Sequence, residues 1–336
     1  MIEMMKLLLK FAAFKSAVFK STALLSLCMA STALLAQNYP NKPINLVVPF
    51  APGGTTDIVA RLVAQRLSER LGQQFIVENR PGGQNVIGAQ AAAKSAPDGY
   101  NFYFSTVASL VSNTYLFKAL PYDPRRDFVP VAFVANSPFA ILVNSNSPIK
   151  TMEELIAKSK VAPGKVALAN EGPRTLGGMI ARLINARAKM GANLVPFASV
   201  GVATQDLLGG HVDALVADLA STAALAKQGR LRVLAVTNAK RAAGWESIPA
   251  LAELIPNFEM SGWFALMAPT GTPDAIVTRV NRDMSTVLAE ADIANRIAAI
   301  GPIAVSGMNP AAVAEFFKGE HARWAEMSKE IGLLPE

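Results

Sequence analysis

The sequence predicts an α/β protein of two lobes, built on doubly wound, mostly parallel sheets, with two crossover strands between the lobes and a cleft where they meet. Three observations carry this expectation. Apolar strand-like runs alternate with segments of helical periodicity along most of the chain. Two glycine-rich loops, residues 49–57 and 172–178, each join an apolar run to a helix. Two further apolar stretches, 131–143 and 263–268, suit strands that pass between lobes, and two passes make a hinge that permits closure. With 336 residues, 51% hydrophobic and 17% charged, the chain has apolar material for two cores, which excludes disorder as its theme.

The first 36 residues read as an export signal. Lys6, Lys10, Lys15 and Lys20 precede an uncharged run over 21–36, and only then come the polar Gln37 and Asn38. Cleavage is expected after Ala36, or after Ala30. The run is shorter than the ~20 residues that a membrane-spanning helix needs. Its removal takes four lysines and Glu3 out of the net +7, a loss of three that leaves +4. The remaining charge is scattered without a Lys/Arg block, so neither nucleic acid nor a membrane surface is an expected partner. Cys28, the only cysteine, lies inside this signal, and the mature chain is expected to carry no disulfide.

The elements follow in order. A strand over 44–48 leads through PFAPGGTTD to an amphipathic helix over 58–71, ended by Gly72. A strand at 75–77, a turn at 78–83, a small-residue helix at 86–94 and a strand at 100–105 come next, the last delivering Thr106 to the same sheet edge. The run 131–143, broken at Asn136-Ser137-Pro138, is the first crossover. Thr151 with Glu154 forms a capping box that opens a helix to Lys160. The strand at 165–170 feeds the second glycine loop and a helix from Met179 to about Lys189. A strand at 194–197 and the loop 198–201 lead to a helix closed by Gly209-Gly210. Strands at 214–217, ending at Asp218, and 231–236 complete the second lobe. The run 263–268 is the return crossover, and Pro273 and Pro310 each take the first position of a closing helix. These boundaries give domain I residues 37–138 and 263–336, and domain II residues 139–262.

Both glycine loops have the grammar of an anion site. The first N–H groups of a helix lack intrahelical partners and carry partial positive charge, and Gly53 and Gly54 let a ligand come close to the backbone. The two loops are expected to face each other and hold one small carboxylate. Thr55 and Thr56 suit capping as well as ligand contact, whereas Asp57 already complements the dipole and would order water or accept a donor. Arg174 offers a bidentate fork to a carboxylate, with a surface salt bridge as its plainer role. Asp218 suits either a helix cap or a ligand contact. Phe50, Phe197 and Trp263 suit a core or the apolar wall of a pocket. Thr106, Thr175 and Ser199 join the candidate ligand set by their place at strand ends.

Enzyme chemistry lacks its residues. His211, just past a helix end, and His321, in a polar helical stretch, are the only histidines, and neither belongs to a Ser-His-Asp arrangement. No zinc set, phosphate loop or dinucleotide fingerprint occurs, so no catalytic residue, metal or cofactor is expected.

Several separate segments resemble the Bug family of extracytoplasmic solute receptors: PFAPGGTTD with Ala60-Arg61, VENRPGG, PDGY, LPYDP with Asp127-Phe128, LLGGHVDAL, GRLRVLAVT and WFALMAPTGTP, spread over residues 39–332. The resemblance implies a type II periplasmic binding protein of the Venus-flytrap kind, a monomer in the periplasm. It would capture a di-, tri- or aromatic carboxylate and hand it to the membrane permease of a tripartite tricarboxylate transporter. It also implies that the loop at 49–57 holds one ligand carboxylate, that the loop at 172–178 contributes from the other lobe, and that Asp218 lies at the pocket edge. This chain departs from the family at Phe197-Ala198-Ser199, where Tyr-Lys-Gly is frequent, and near Gly177-Gly178, where Ser-His is frequent. Less polar walls beside an arginine lean toward a monocarboxylate or an aromatic acid. A sensory receptor for a membrane signalling partner, and a periplasmic hydrolase or isomerase on the same scaffold, are the alternative functions.

Overall fold

The computed structural model describes residues 39–336; the expected export signal, its cleavage points and Cys28 lie outside them. Residues 43–336 form one compact unit, and every element named below belongs to it.

The chain opens with β1 (Ile44–Val48), α1 (Thr55–Leu71), β2 (Phe75–Asn79), α2 (Val86–Ala93) and β3 (Asn101–Thr106). A π-helical turn (Ala108–Ser112) runs into α3 (Asn113–Leu116), and β4 (Phe128–Ser137) follows. Beyond Pro138 come β5 (Phe139–Asn144), α4 (Met152–Val161), β6 (Ala167–Asn170), α5 (Leu176–Arg187) and β7 (Asn193–Pro196). Then follow α6 (Val200–Gly209), β8 (Ala214–Asp218), α7 (Leu219–Lys227) and β9 (Leu231–Val236). The last section holds β10 (Gly262–Pro269), α8 (Asp274–Ala289), α9 (Ala291–Ile300), β11 (Ile303–Ala304) and α10 (Pro310–Glu330).

Lobe I is built on a six-stranded sheet in the order β11-β4-β10-β3-β1-β2, and lobe II on a five-stranded sheet in the order β7-β6-β8-β5-β9. Both sheets are mixed, which corrects the mostly parallel expectation. β1 pairs in parallel with β2 and β3, but β10 is antiparallel to β3 and β4; β6 is parallel to β7 and β8, but β5 is antiparallel to β8 and β9. The reason is geometric. A strand that enters a lobe from the cleft runs away from it, against strands whose C-terminal ends point toward it.

The two passes sit where no regular strand crosses. The first is at Pro138, which has no N–H to offer a ladder. The second lies in residues 237–261, where Met260 N–H donates to the Thr237 carbonyl at 3.0 Å. The run 263–268 is therefore a lobe I strand rather than the crossing itself. Three helix starts also differ from expectation. α1 begins three residues early, and α5 begins at Leu176, because the Thr175 hydroxyl accepts from Gly178 N–H at 3.1 Å and draws both glycines into the first turn. Pro273 is the N-cap of α8 rather than its first helical residue, while Asn309 caps α10 with Pro310 at its first position.

The core of lobe I is aromatic. Tyr103 stacks on Phe128 at 5.4 Å, and Trp263, 1% exposed, lies between Phe133, Phe316 and Phe317. The Trp263 indole N–H donates to Glu320 Oε2 at 2.9 Å, which satisfies the one polar atom of that ring in an apolar setting.

Candidate functional site

Between the lobes lies a cavity of about 550 Å³. The β1–α1 loop brings Phe50, Gly54, Thr55 and Thr56 to it; the turn before α2 brings Gln84 and Asn85; the end of β3 brings Thr106. Lobe II contributes Phe139, Glu171, Arg174, Thr175, Asp218 and Ser221, and the start of β10 contributes Gly262, Trp263 and Phe264. The loop positions follow from strands that end at the cleft and hand over to helices there, and Phe139, Gly262, Trp263 and Phe264 from strands that begin there.

The lobe I loop is shaped by a network beneath it. Asp57, 2% exposed, accepts from Gly53 N–H at 2.9 Å, from Arg61 Nε at 2.9 Å and from Asn79 Nδ2 at 2.8 Å. Asn79 Nδ2 also donates to the Phe50 carbonyl, and its Oδ1 accepts from Arg61. Burial alone would raise the Asp57 carboxyl, but the bonds from Arg61, Gly53 and Asn79 outweigh it and hold the group below its ordinary value. The carboxylate is thereby bound into the loop. Gly53, at φ +87°, supplies the left-handed turn this needs. At the helix start itself, Gly54 has no side chain to cap α1. The dipole end and the first N–H groups of α1 are thus free of an internal cap beside a cavity-lining Thr55 and Thr56. On the neighbouring turn Asn85, at φ +74°, donates from Nδ2 to Thr106 Oγ1 at 2.9 Å, and Asn113 fixes Gln84 through its carbonyl. Gln84 and Asn85 are thus both held in left-handed backbone at the cavity edge.

The lobe II loop, expected as a matching open cradle, carries its own cap. Gly177 N–H donates to Glu171 Oε1 at 2.9 Å and Gly178 N–H to Thr175 Oγ1. A Cβ on Gly178 would fall on the Gly172 carbonyl oxygen, so the fold-back of this loop requires glycine there. Glu171 Oε2 is buried with no hydrogen-bond partner among the described residues. Burial, with Asp218 nearby, pushes this carboxyl above the usual range. Asp218 caps α7, accepting from Ser221 N–H at 2.8 Å and from its hydroxyl at 2.6 Å. Arg174 lines the cavity, yet its guanidinium reaches across to lobe I, donating to the Leu116 carbonyl and pairing with Glu336 at 3.0 Å.

Of the residues predicted from sequence, the cavity brings together Phe50, Gly54, Thr55, Thr56, Thr106, Arg174, Thr175 and Asp218. Gly53, Asp57, Phe197 and Ser199 are not among its lining. Gly53 and Asp57 bond to each other underneath; Phe197 packs on the core of lobe II; the Ser199 hydroxyl caps α6 through Val202 N–H. Gln84, Asn85, Glu171 and Ser221 line the cavity as well and are not among the residues expected from sequence. A signal existed for Asn85, since QN between a Gly-Gly turn and a helix marks a left-handed step.

The histidines lie elsewhere. His211 follows α6, with Nδ1 3.6 Å from Asp206. His321, for all the polar character of its helical stretch, lines a second cavity of about 510 Å³ in lobe I, and burial, reinforced by Arg125, lowers its pKa to about 4. Among the described residues no group of His, Cys, Asp and Glu has the geometry of a metal site, and no helix is long and apolar enough to cross a membrane.

Comparison with known proteins agrees with this geometry. The family model described as tripartite tricarboxylate transporter family receptor matches residues 59–333. Protein BugT of Bordetella pertussis is 36% identical over 299 residues, covering 88% of this chain and 91% of its own. Among solved structures, R. palustris Rpa4515 with adipate has a TM-score of 0.78 at 32% identity, covering 89% of this chain and all of that one. MatC from Rhodopseudomonas palustris with bound malate has a TM-score of 0.72 at 28% identity, covering 86% of this chain and 99% of that one. The two-lobed α/β architecture is that of periplasmic solute-binding proteins.

Proposed function

This chain belongs to the tripartite tricarboxylate transporter receptor family, and from that premise we propose that it is a periplasmic solute receptor which captures a small organic carboxylate in the interlobe cleft and delivers it to a membrane permease. The observation that carries this reading is the start of α1. A helix N-terminus without an internal cap, flanked by Thr55 and Thr56 and open to a cavity of about 550 Å³, is a ready anion site. Thr106, Asn85 and Phe50 complete the lobe I side, and Thr175, Asp218 and Arg174 the lobe II side. Adipate and malate in the related structures support a carboxylate as the ligand class. The cleft lining holds no histidine, and its hydroxyl–carboxylate pair, Ser221 with Asp218, forms the N-cap of α7, which favours capture over catalysis.

A thermal-shift screen of mono-, di-, tri-, aromatic and amino-carboxylates tests this reading. Ligand at about 100 times its Kd stabilises the folded state by ~2.7 kcal/mol, so a true ligand raises Tm by several degrees. No shift with any acid would remove the reading.

A further inference from the structure

The two walls of the cleft differ in electrical character, and this difference, resting on the receptor reading, narrows the ligand further. On the lobe I side the cavity lining contains no charged side chain; what faces the cavity there is the partly positive start of α1. On the lobe II side the charged lining residues are Glu171, Asp218 and Arg174. Arg174 is engaged with Leu116 and Glu336. Glu171 accepts from Gly177 N–H on Oε1, with its own N–H and the Thr175 hydroxyl close to the carboxyl, while Oε2 has no hydrogen-bond partner among the described residues; Asp218 accepts from the N–H and hydroxyl of Ser221. The start of α5 is already filled by Glu171 and Thr175. A second ligand carboxylate on this wall would meet like charge and no free helix end, whereas a cation would supply the partner that Oε2 of the half-buried Glu171 lacks.

We infer that the cleft takes an acid with one carboxylate, seated at the start of α1, and a protonated amine at its far end directed at Glu171 and Asp218. Glu171 is then a specificity-determining residue that rejects dicarboxylates. Repulsion by a placed like charge discriminates as effectively as a new attraction.

The test is calorimetry on the purified protein with matched acids at two lengths: hexanoate, adipate and 6-aminohexanoate, then butanoate, succinate and 4-aminobutanoate. At one length or both, the amino acid binds about tenfold or more tightly than the dicarboxylate, with the monocarboxylate between them. Glu171→Gln, which keeps an acceptor for Gly177 N–H, shrinks that ratio about fivefold or more, and Asp218→Asn moves it the same way. A dicarboxylate that binds wild-type protein at least as tightly as the amino acid at both lengths overturns the inference without needing any variant. An unchanged ratio in both variants overturns it as well. Acids that bind without this preference leave the receptor reading standing; binding by no acid of any class overturns both.

Discussion

Asp57 and Gly178 illustrate how single side chains, or the lack of one, shape the cleft from outside it. Asp57 gathers Gly53, Arg61 and Asn79 around one buried carboxylate. Asp57→Ala leaves those donors unmatched and is expected to cost about 2 kcal/mol in denaturant unfolding, with a further loss of ligand affinity because Gly53 is released. The pH dependence has a definite sign. The folded-state carboxyl titrates below its ordinary value of 3.8, so its contribution is complete above that pH and is lost as pH falls through the lower folded value. The stability gap between wild type and Asp57→Asn should therefore close on acidification below about pH 4; a gap that widened there would contradict the network. Gly178→Ala places a methyl on the Gly172 carbonyl, and the loop must open to admit it. A destabilisation of about 1–3 kcal/mol is expected, with the largest loss of amide exchange protection around residues 172–178.

At the scale of elements, α1 and α5 start with similar sequence grammar yet end as opposites. Each follows a strand and a glycine loop, which is why the fold and six of the candidate cleft residues, Phe50, Gly54, Thr55, Thr56, Arg174 and Thr175, were legible from the chain alone. What distinguishes them is the capping position: Gly54 gives α1 nothing, whereas Thr175, with Glu171 reaching Gly177 N–H from outside the helix, closes α5. That distinction depends on where Glu171 turns its carboxylate, which no periodicity encodes. The same limit hid Asp57's inward turn and the burial of His321 in an otherwise polar-looking helix. Gly54→Asp converts α1 to the α5 arrangement. Its backbone is extended and its Cβ direction has room, so the variant should gain about 0.3 kcal/mol from the new cap. The same carboxylate would occupy the ligand's place and weaken carboxylate binding by tenfold or more, roughly 1.4 kcal/mol. Undiminished affinity in calorimetry would dissociate the start of α1 from the ligand.

At the scale of the molecule, one seam joins the lobes beside the cleft. Arg174 reaches Leu116 and Glu336, Arg182 donates to the Ile331 carbonyl at 2.7 Å, and Arg187 pairs with Glu330 at 3.0 Å. These bonds favour the arrangement in which the lobes are together. Arg174→Ala should shift the population toward separated lobes and weaken ligand binding about three- to tenfold, chiefly through a faster off-rate, with little change in unfolding stability. Unchanged off-rates by stopped flow would confine Arg174 to a surface pairing.

β10 adds one more consequence, about order in time. It occupies the middle of the lobe I sheet, between β3 and β4, although its residues 262–269 follow the whole of lobe II. Before that stretch leaves the ribosome, β4 has no neighbour to dock against and the early strands lack their central partner. The N-terminal portion therefore waits as an unfinished sheet while synthesis proceeds, a delay built into the threading of the chain that keeps it from locking up before its last quarter arrives.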